Sequence, residues 1–325
     1  MRAVLIWAAL LSVAAAAGDE TRTVLLADSS QGRIAVVGPD GVLEWEDRIG
    51  PLHDLHVLPS GNYLYQSDWT TLKEYDPAAS RAVWTFDAMR LRPEGYRGKI
   101  EVHAFQRLEG GRTMLALSGP GVVAEIAESG EVQTSWPMRI DRPHPHHDTR
   151  LVRRLDNGHT LAVHEADGFV REYDAGGALV WEYEVPLADF PGGQPRERAG
   201  GHGADSFGNQ AFSAVRLPDG NTLIGTGNGH AVIEVTPAKE VVWSVGQREL
   251  AGIVLAWVTT VEVLPSGNIM IGNCHAGPDQ PQLVEVDRQK NVIWTLHDFE
   301  HFGNATTNSQ VLSVNGESVV GRTLR

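Results

Sequence analysis

The chain of 325 residues contains a single cysteine, Cys274. With no second thiol there can be no internal disulfide, so the fold must be held by its core alone. After the first residues no apolar run reaches the roughly 18 that a membrane-spanning helix needs, which excludes membrane insertion by helices. A basic surplus is also missing: 27 Lys and Arg stand against 41 Asp and Glu, a formal net charge of -14. That balance disfavours nucleic acid and anionic lipid surfaces as partners. The sequence has no H-E-x-x-H or paired-cysteine spacing and no glycine loop that opens a helix. Downstream of the N-terminal segment no convincing 3.6-residue apolar period appears.

What is present begins with "MRAVLIWAALLSVAAAAG". Arg2, an apolar stretch and an alanine run with A-x-A options read as a secretory signal peptide over residues 1–17. The expectation is export to the periplasm or the extracellular space, with residues 18–325 forming one domain.

That domain is built from a repeat. "HDLHVLPSGNYLY", "VHAFQRLEGGRTML", "DTRLVRRLDNGHTLAV", "FSAVRLPDGNTLI" and "WVTTVEVLPSGNIMI" each place a Leu-x-x-Gly turn between two extended runs. The turn glycines are Gly61, Gly111, Gly158, Gly220, Gly267 and, less clearly, Gly316. A second marker, a β-rich segment with a tryptophan, recurs at Trp45, Trp84, Trp136, Trp181, Trp243 and Trp294. Both markers count six, and between them lie further short strands such as "TLKEYDP" and "AVIEVTP". Four antiparallel strands (a to d) per unit of about 50 residues predict an all-β, six-bladed β-propeller. The N-terminus supplies strands b, c and d of one blade, and Asn308 to Val314 supply its strand a, so the two ends pair to close the ring. The last nine residues, "ESVVGRTLR", have no assigned place and compete with "TVLLADS" for position b.

In such a ring, strand a lines the channel, and the d–a and b–c connections share one face. Ten of the 13 histidines fall in those connections or at the start of strand a. They are His53, His103, His144, His146, His147, His164, His202, His230, His275 and His301. The pattern predicts a His-rich pocket at one channel mouth. His103, His147 and Arg150 are the catalytic candidates, with Arg150 or Arg97 holding an anion. His53, His146, His202, His230, Cys274, His275 and His301 are the ligand-binding candidates. Cys274 lies in the b–c loop "IGNCHAGPDQ". It is read either as a rim residue touching ligand or metal, or as a small hydrophobe that ends its strand. A transition metal at the mouth is a further expectation, with all ligands drawn from different blades. The Gly-rich "GGQPRERAGGHGADSFGNQ" before the fifth blade reads as a lid or a solvated insertion, with Arg196 and Arg198 facing an anion.

The repeats "HDLHVLPSGN", "HHDTRLVRRLDNG" and "RLPDGNTLIGTGNGHAVIEVTPAKEVVW" resemble those of the arylsulfotransferase-like and PQQ-binding-like bacterial propellers over essentially the whole mature chain. The resemblance implies a periplasmic propeller. For the first family it also implies sulfuryl transfer through a histidine, with His103, His146, His147 and Arg150 where such residues lie. Six blades and one cysteine argue against a bound PQQ. Three functions follow as expectations. First is binding of a small molecule or glycan at the His-rich mouth. Second is an enzyme acting on sulfated or carbohydrate substrates by transfer or lyase-type chemistry. Third is a scaffold for a protein partner. A monomer is expected.

Overall fold

A computed structural model of the protein describes residues 20–208 and 210–325, so the signal-peptide segment lies outside the described residues. Six four-stranded antiparallel blades form the ring. Strands a to d of blade 2 are Leu55–Val57, Tyr63–Gln66, Thr71–Asp76 and Arg81–Asp87. Those of blade 3 are Glu101–Arg107, Thr113–Ser118, Val122–Ile126 and Val132–Pro137. Blade 4 comprises Leu151–Arg154, Thr160–His164, Phe169–Tyr173 and Leu179–Glu184. Blade 5 comprises Ser213–Arg216, Thr222–Gly225, Val232–Val235 and Val241–Val245. Blade 6 comprises Trp257–Val263, Ile269–Cys274, Leu283–Val286 and Val292–Leu296.

Blade 1 is composite, as expected. Its strand a is Thr306–Val314, which pairs antiparallel with strand b, Arg22–Asp28; Arg33–Val37 and Leu43–Arg48 follow. The last residues do not compete for position b. Glu317–Ser318 folds back on the inner side of Thr306–Val314, Leu324 bridges to Val263, and the Arg325 side chain enters the channel. There it donates to the Leu55 carbonyl, His56 and Gln310 through Nη1 and to Asn308 through Nη2. Sequence pattern had no means of placing this tail, because its partners are channel-lining strands far away in the chain.

Strands a to c are largely buried, since each blade is sandwiched between two neighbours, whereas the outer d strands are largely exposed. The core lies between blades: Leu223, Val232 and Val245 of blade 5 pack with Val258, Ile271 and Val284 of blade 6. Gly61 and Gly267 take positive φ in the a–b turns, where a side chain would be strained.

Five of the six seams also carry polar staples. A glutamate at one place on strand c pairs with an arginine of the next blade: Glu74 with Arg107, Glu125 with Arg154, Glu172 with Arg216, Glu234 with Arg288 and Glu285 with Arg22. The asparagine of the "SGN" or "DGN" turn donates to the same carboxylate, from Asn62 to Glu74, Asn221 to Glu234 and Asn268 to Glu285. The repeated Asn is thereby explained. The d-strand tryptophans lie in the same seams. Trp84, Trp181 and Trp243 donate from Nε1 to the carbonyls of Glu128, Pro237 and Arg288 in the next blade, and Arg107, Arg216 and Arg288 lie over their rings.

Candidate functional site

The position of strand a decides which side chains meet at the mouth. His53, His103, Arg150 and Phe212 each stand five residues before the leucine that opens the a–b turn of their blade (Leu58, Leu108, Leu155, Leu217). The repeat thus projects these four from blades 2 to 5 toward one point. In blade 6 a bulge between Val258 and Val261 shifts the register, and Trp257 takes the corner. One half of the mouth is therefore polar (His53, His103, Arg150) and the other aromatic (Phe212, Trp257). Phe212 joins the halves, with its ring 5.1 Å from the Arg150 guanidinium and 6.0 Å from the His53 ring.

Arg150 is the hub of the polar half. It is buried, and its Nε donates to Glu165, itself buried at the end of strand b. Nη1 donates to His53 Nε2 at 3.2 Å and to His103 Nδ1 at 3.0 Å; Nη2 donates to His147 Nδ1 at 3.2 Å. A guanidinium only donates, so all three imidazole nitrogens are unprotonated acceptors. Four of its five N–H bonds are used, leaving one on Nη2.

The other ring nitrogens follow from their partners. His103 donates from Nε2 to Glu101 Oε2 at 3.0 Å, and His146 donates from Nδ1 to the same oxygen at 2.8 Å. Lys99 pairs with the other oxygen of Glu101. His53 carries its proton on Nδ1, which is buried without a hydrogen-bond partner among the described residues. His147 Nδ1 also lies 3.2 Å from Glu165 Oε1. That oxygen makes no hydrogen bond, however, and Nδ1 cannot accept from Arg150 and donate to Glu165 at once, so the proton of His147 sits on Nε2. His146 and His147 are neighbours, with rings 4.8 Å apart, and they have opposite polarity. His146 leaves an Nε2 lone pair open, and His147 leaves an Nε2 N–H open.

Electrostatics agree with neutral, accepting imidazoles at His53 and His103. Burial first, then the Arg150 charge, pushes the His103 imidazole down to about 3, and the same two causes hold His53 well below its ordinary value. Burial alone would raise the Glu101 carboxyl, but hydrogen bonds from His103, His146 and Lys99 outweigh it and keep the group ionised. Glu165 is likewise lowered: burial alone would raise it, but Arg150 and the neighbouring His147 together outweigh that.

His53, His103 and His146 offer nitrogens within 4.8 Å of one another, which is the one grouping of metal-ligand type among the described residues. The donor set does not fit a metal ion. His103 has both nitrogens engaged, and Nη1 of Arg150 holds the lone pairs of His53 Nε2 and His103 Nδ1. The guanidinium occupies the centre that a cation would take.

On the aromatic side, His202 stacks on Trp257 at 5.3 Å and lies 4.9 Å from His275. An open cleft of about 470 Å³ lies between this group and His147. Arg142, His144, Ala166, Arg198 and Gln210 complete most of its wall. Trp69, which no sequence marker singled out, stacks on His53 at 5.4 Å and closes the polar half from outside.

Several candidate residues lie elsewhere. His230 is buried, with both nitrogens against the carbonyls of Ala256 and Ser206, a cross-brace between loops. His301 pairs with Asp298 away from the mouth. Cys274 is buried at the end of strand b between Phe212 and Trp257, with its thiol raised by burial, so it packs under the rim as a small hydrophobe. Arg97 is exposed and outside the cluster. Arg196 pairs with Asp189 and covers Phe207. Glu101 and Glu165, which orient the imidazoles, were missed by sequence reasoning that followed histidine alone. Their signal was the same repeat register, one strand end away.

No family model matches the sequence, and no curated protein matches it. Solved structures do match. A protein of unknown function from Bacteroides caccae is 22% identical with a TM-score of 0.70, over 89% of this chain and 98% of that one. Virginiamycin B lyase from Staphylococcus aureus, solved with quinupristin in a catalytically inactive variant, is 8% identical with a TM-score of 0.54, over 87% of each chain. The WD40 propeller domain of Doa1 is 15% identical with a TM-score of 0.53, over 78% of this chain and 72% of that one. These likenesses establish the architecture. The narrower resemblance to arylsulfotransferase-like and PQQ-binding-like repeats finds no matching family model, and what this chain shares with its structural neighbours is the β-propeller.

Proposed function

We propose that the protein binds a small organic molecule over the channel mouth and that His146 acts on it as a general base, with His147 as a hydrogen-bond donor to a substrate oxygen. The observation that carries this reading is the Glu101–His146 pair. A buried carboxylate fixes one imidazole nitrogen at 2.8 Å, and the ring lies 4.8 Å from that of His147, which lines the cleft. Such a pair fixes the tautomer and the orientation of the ring, so that the free nitrogen carries the lone pair a base needs. Nε2 takes a proton from substrate; the His147 N–H and the remaining Arg150 N–H stabilise the negative charge that develops on oxygen. The protonated His146 then returns the proton to the departing or rearranged group, so the enzyme ends each turnover unchanged. His103, with both nitrogens engaged, positions Arg150 and Glu101 and does not touch substrate. The reading extends the lyase-type expectation, and two of the similar structures are lyases by name. Export to the periplasm or outside the cell is part of the same proposal, on the strength of the N-terminal segment.

The test is a screen of small ring compounds by thermal stabilisation, followed by product analysis. Hits should be converted by the wild-type protein and bound intact by His146→Ala. Equal conversion by both proteins, or hits that bind only at the opposite channel mouth, would refute the reading.

A further inference from the structure

The charge around the cleft names the class of molecule that enters it. The protein as a whole is strongly acidic, at -14. Yet the residues lining the 470 Å³ cleft are Arg142, Arg198, His144, His147 and His202 with Trp257, Gln210 and small residues, and there is no Asp or Glu among the described residues of this lining. Two carboxylates next in the chain to the lining residue Ala166 are engaged: Glu165 is buried against Arg150, and Asp167 is buried against Arg171 while also accepting from the backbone amides of Asp141 and Arg142. Among the described residues, the one hydrogen bond made by the Arg142 side chain goes to the neutral carbonyl of Ala166, at 3.1 Å. On a random acidic surface, carboxylates outnumber bases; here two guanidiniums and three imidazoles converge with none. The field of the two guanidiniums is focused by the concave wall, and the imidazoles add polar groups to it. The exposed His202 ring, backed by the buried Trp257 indole on which it stacks, supplies a flat aromatic surface to the same wall.

We infer that the ligand is an organic anion, a ring compound bearing a carboxylate, with the ring against the His202 imidazole and the carboxylate toward Arg142 and Arg198. This rests on the reading of the mouth as a small-molecule site and adds the substrate class. It also suits the proposed chemistry. A carboxylate neutralised by guanidinium makes the proton on the adjacent carbon more acidic, and that is the proton a base at His146 would take.

The experiment compares matched pairs that differ in the anion alone: D-glucuronate against D-glucose, and phenylacetate against 2-phenylethanol. Binding is measured by calorimetry at low and at high salt. The anionic member should bind about 10-fold or more tightly at low salt, equivalent to about 1.4 kcal/mol, and the gap should narrow as salt rises. Arg142→Gln and Arg198→Gln should each reduce the preference, while His146→Ala should keep it. Equal binding of both members, a preference for the neutral one, or no binding by either anion overturns the inference. The two readings fail separately. Anion preference retained in His146→Ala with no conversion by wild type would sink the general base alone. Conversion of neutral compounds with no anion preference would sink the anion alone.

Discussion

Buried imidazoles give this protein a pH dependence that can be worked out residue by residue. His56 and His164 are pushed down to about 4 and His103 to about 3, in each case first by burial. His53, His230 and His275 move the same way. A histidine lowered in the folded state binds its proton only in the unfolded chain between about pH 6.5 and its folded value, so stability is lost as pH falls through that window. Asp148 and Glu262 are raised by burial and act in the opposite sense, but two carboxyls stand against six imidazoles. Urea midpoints should fall steadily from about pH 7 to about pH 4.5, and His164→Gln should flatten the slope; a midpoint constant over that range would contradict the assignment. The site was half legible at this scale. Histidines and Arg150 declared themselves by their place in the repeat. Glu101 and Glu165 did not, because a carboxylate at a strand end looks like any solvated acid until the neighbouring blade is in place. His230 misled, and Cys274 was left between its two readings, for the converse reason: a loop position on the right face says nothing about whether the side chain points into the mouth or under it.

At the scale of elements, the seams between blades carry the stability. Trp243 is partly buried, with its ring against the next blade and its N–H on the Arg288 carbonyl at 2.9 Å. Trp243→Phe keeps most of the ring and loses that bond, so it should cost about 1 kcal/mol. Trp243→Ala loses both and should cost about 2–3 kcal/mol, below the range for a fully buried aromatic. Equal costs for the two variants in denaturant melts would show that the indole N–H, not the ring, holds the seam. The tryptophan period was plain in the sequence because it recurs in all six units. The glutamate of strand c recurs in five, yet it gains meaning only from an arginine in the following unit, a pairing that no single repeat displays.

For the whole molecule, ring closure depends on strand Thr306–Val314 and on one buried ion pair, Arg22 with Glu285 at 2.6 Å, which ties blade 1 to blade 6. Both side chains are almost fully buried, so Glu285→Gln leaves the guanidinium with only the exposed carboxylate of Glu20 against it and should cost about 3 kcal/mol. Hydrogen exchange should then show blades 1 and 6 opening before blades 3 and 4; uniform opening around the ring would argue that the seam is no weaker than the rest. The architecture was legible from the ends inward, since a missing strand a at one terminus and a surplus one at the other admit one solution. The tail beyond it was not, because it is stabilised by channel contacts outside the repeat. Closure matters to function because it holds the ring in which His53 of blade 2 faces Phe212 of blade 5 across the mouth, 6.0 Å apart. The central claim is that His146 and His147 present opposite polarity at this mouth. Long-range ¹H–¹⁵N correlation spectra of the histidine rings, at a pH where both are neutral, report it directly. The account predicts a proton on Nδ1 of His146 and on Nε2 of His147. The same tautomer on both rings, or a proton on Nε2 of His146, would contradict it.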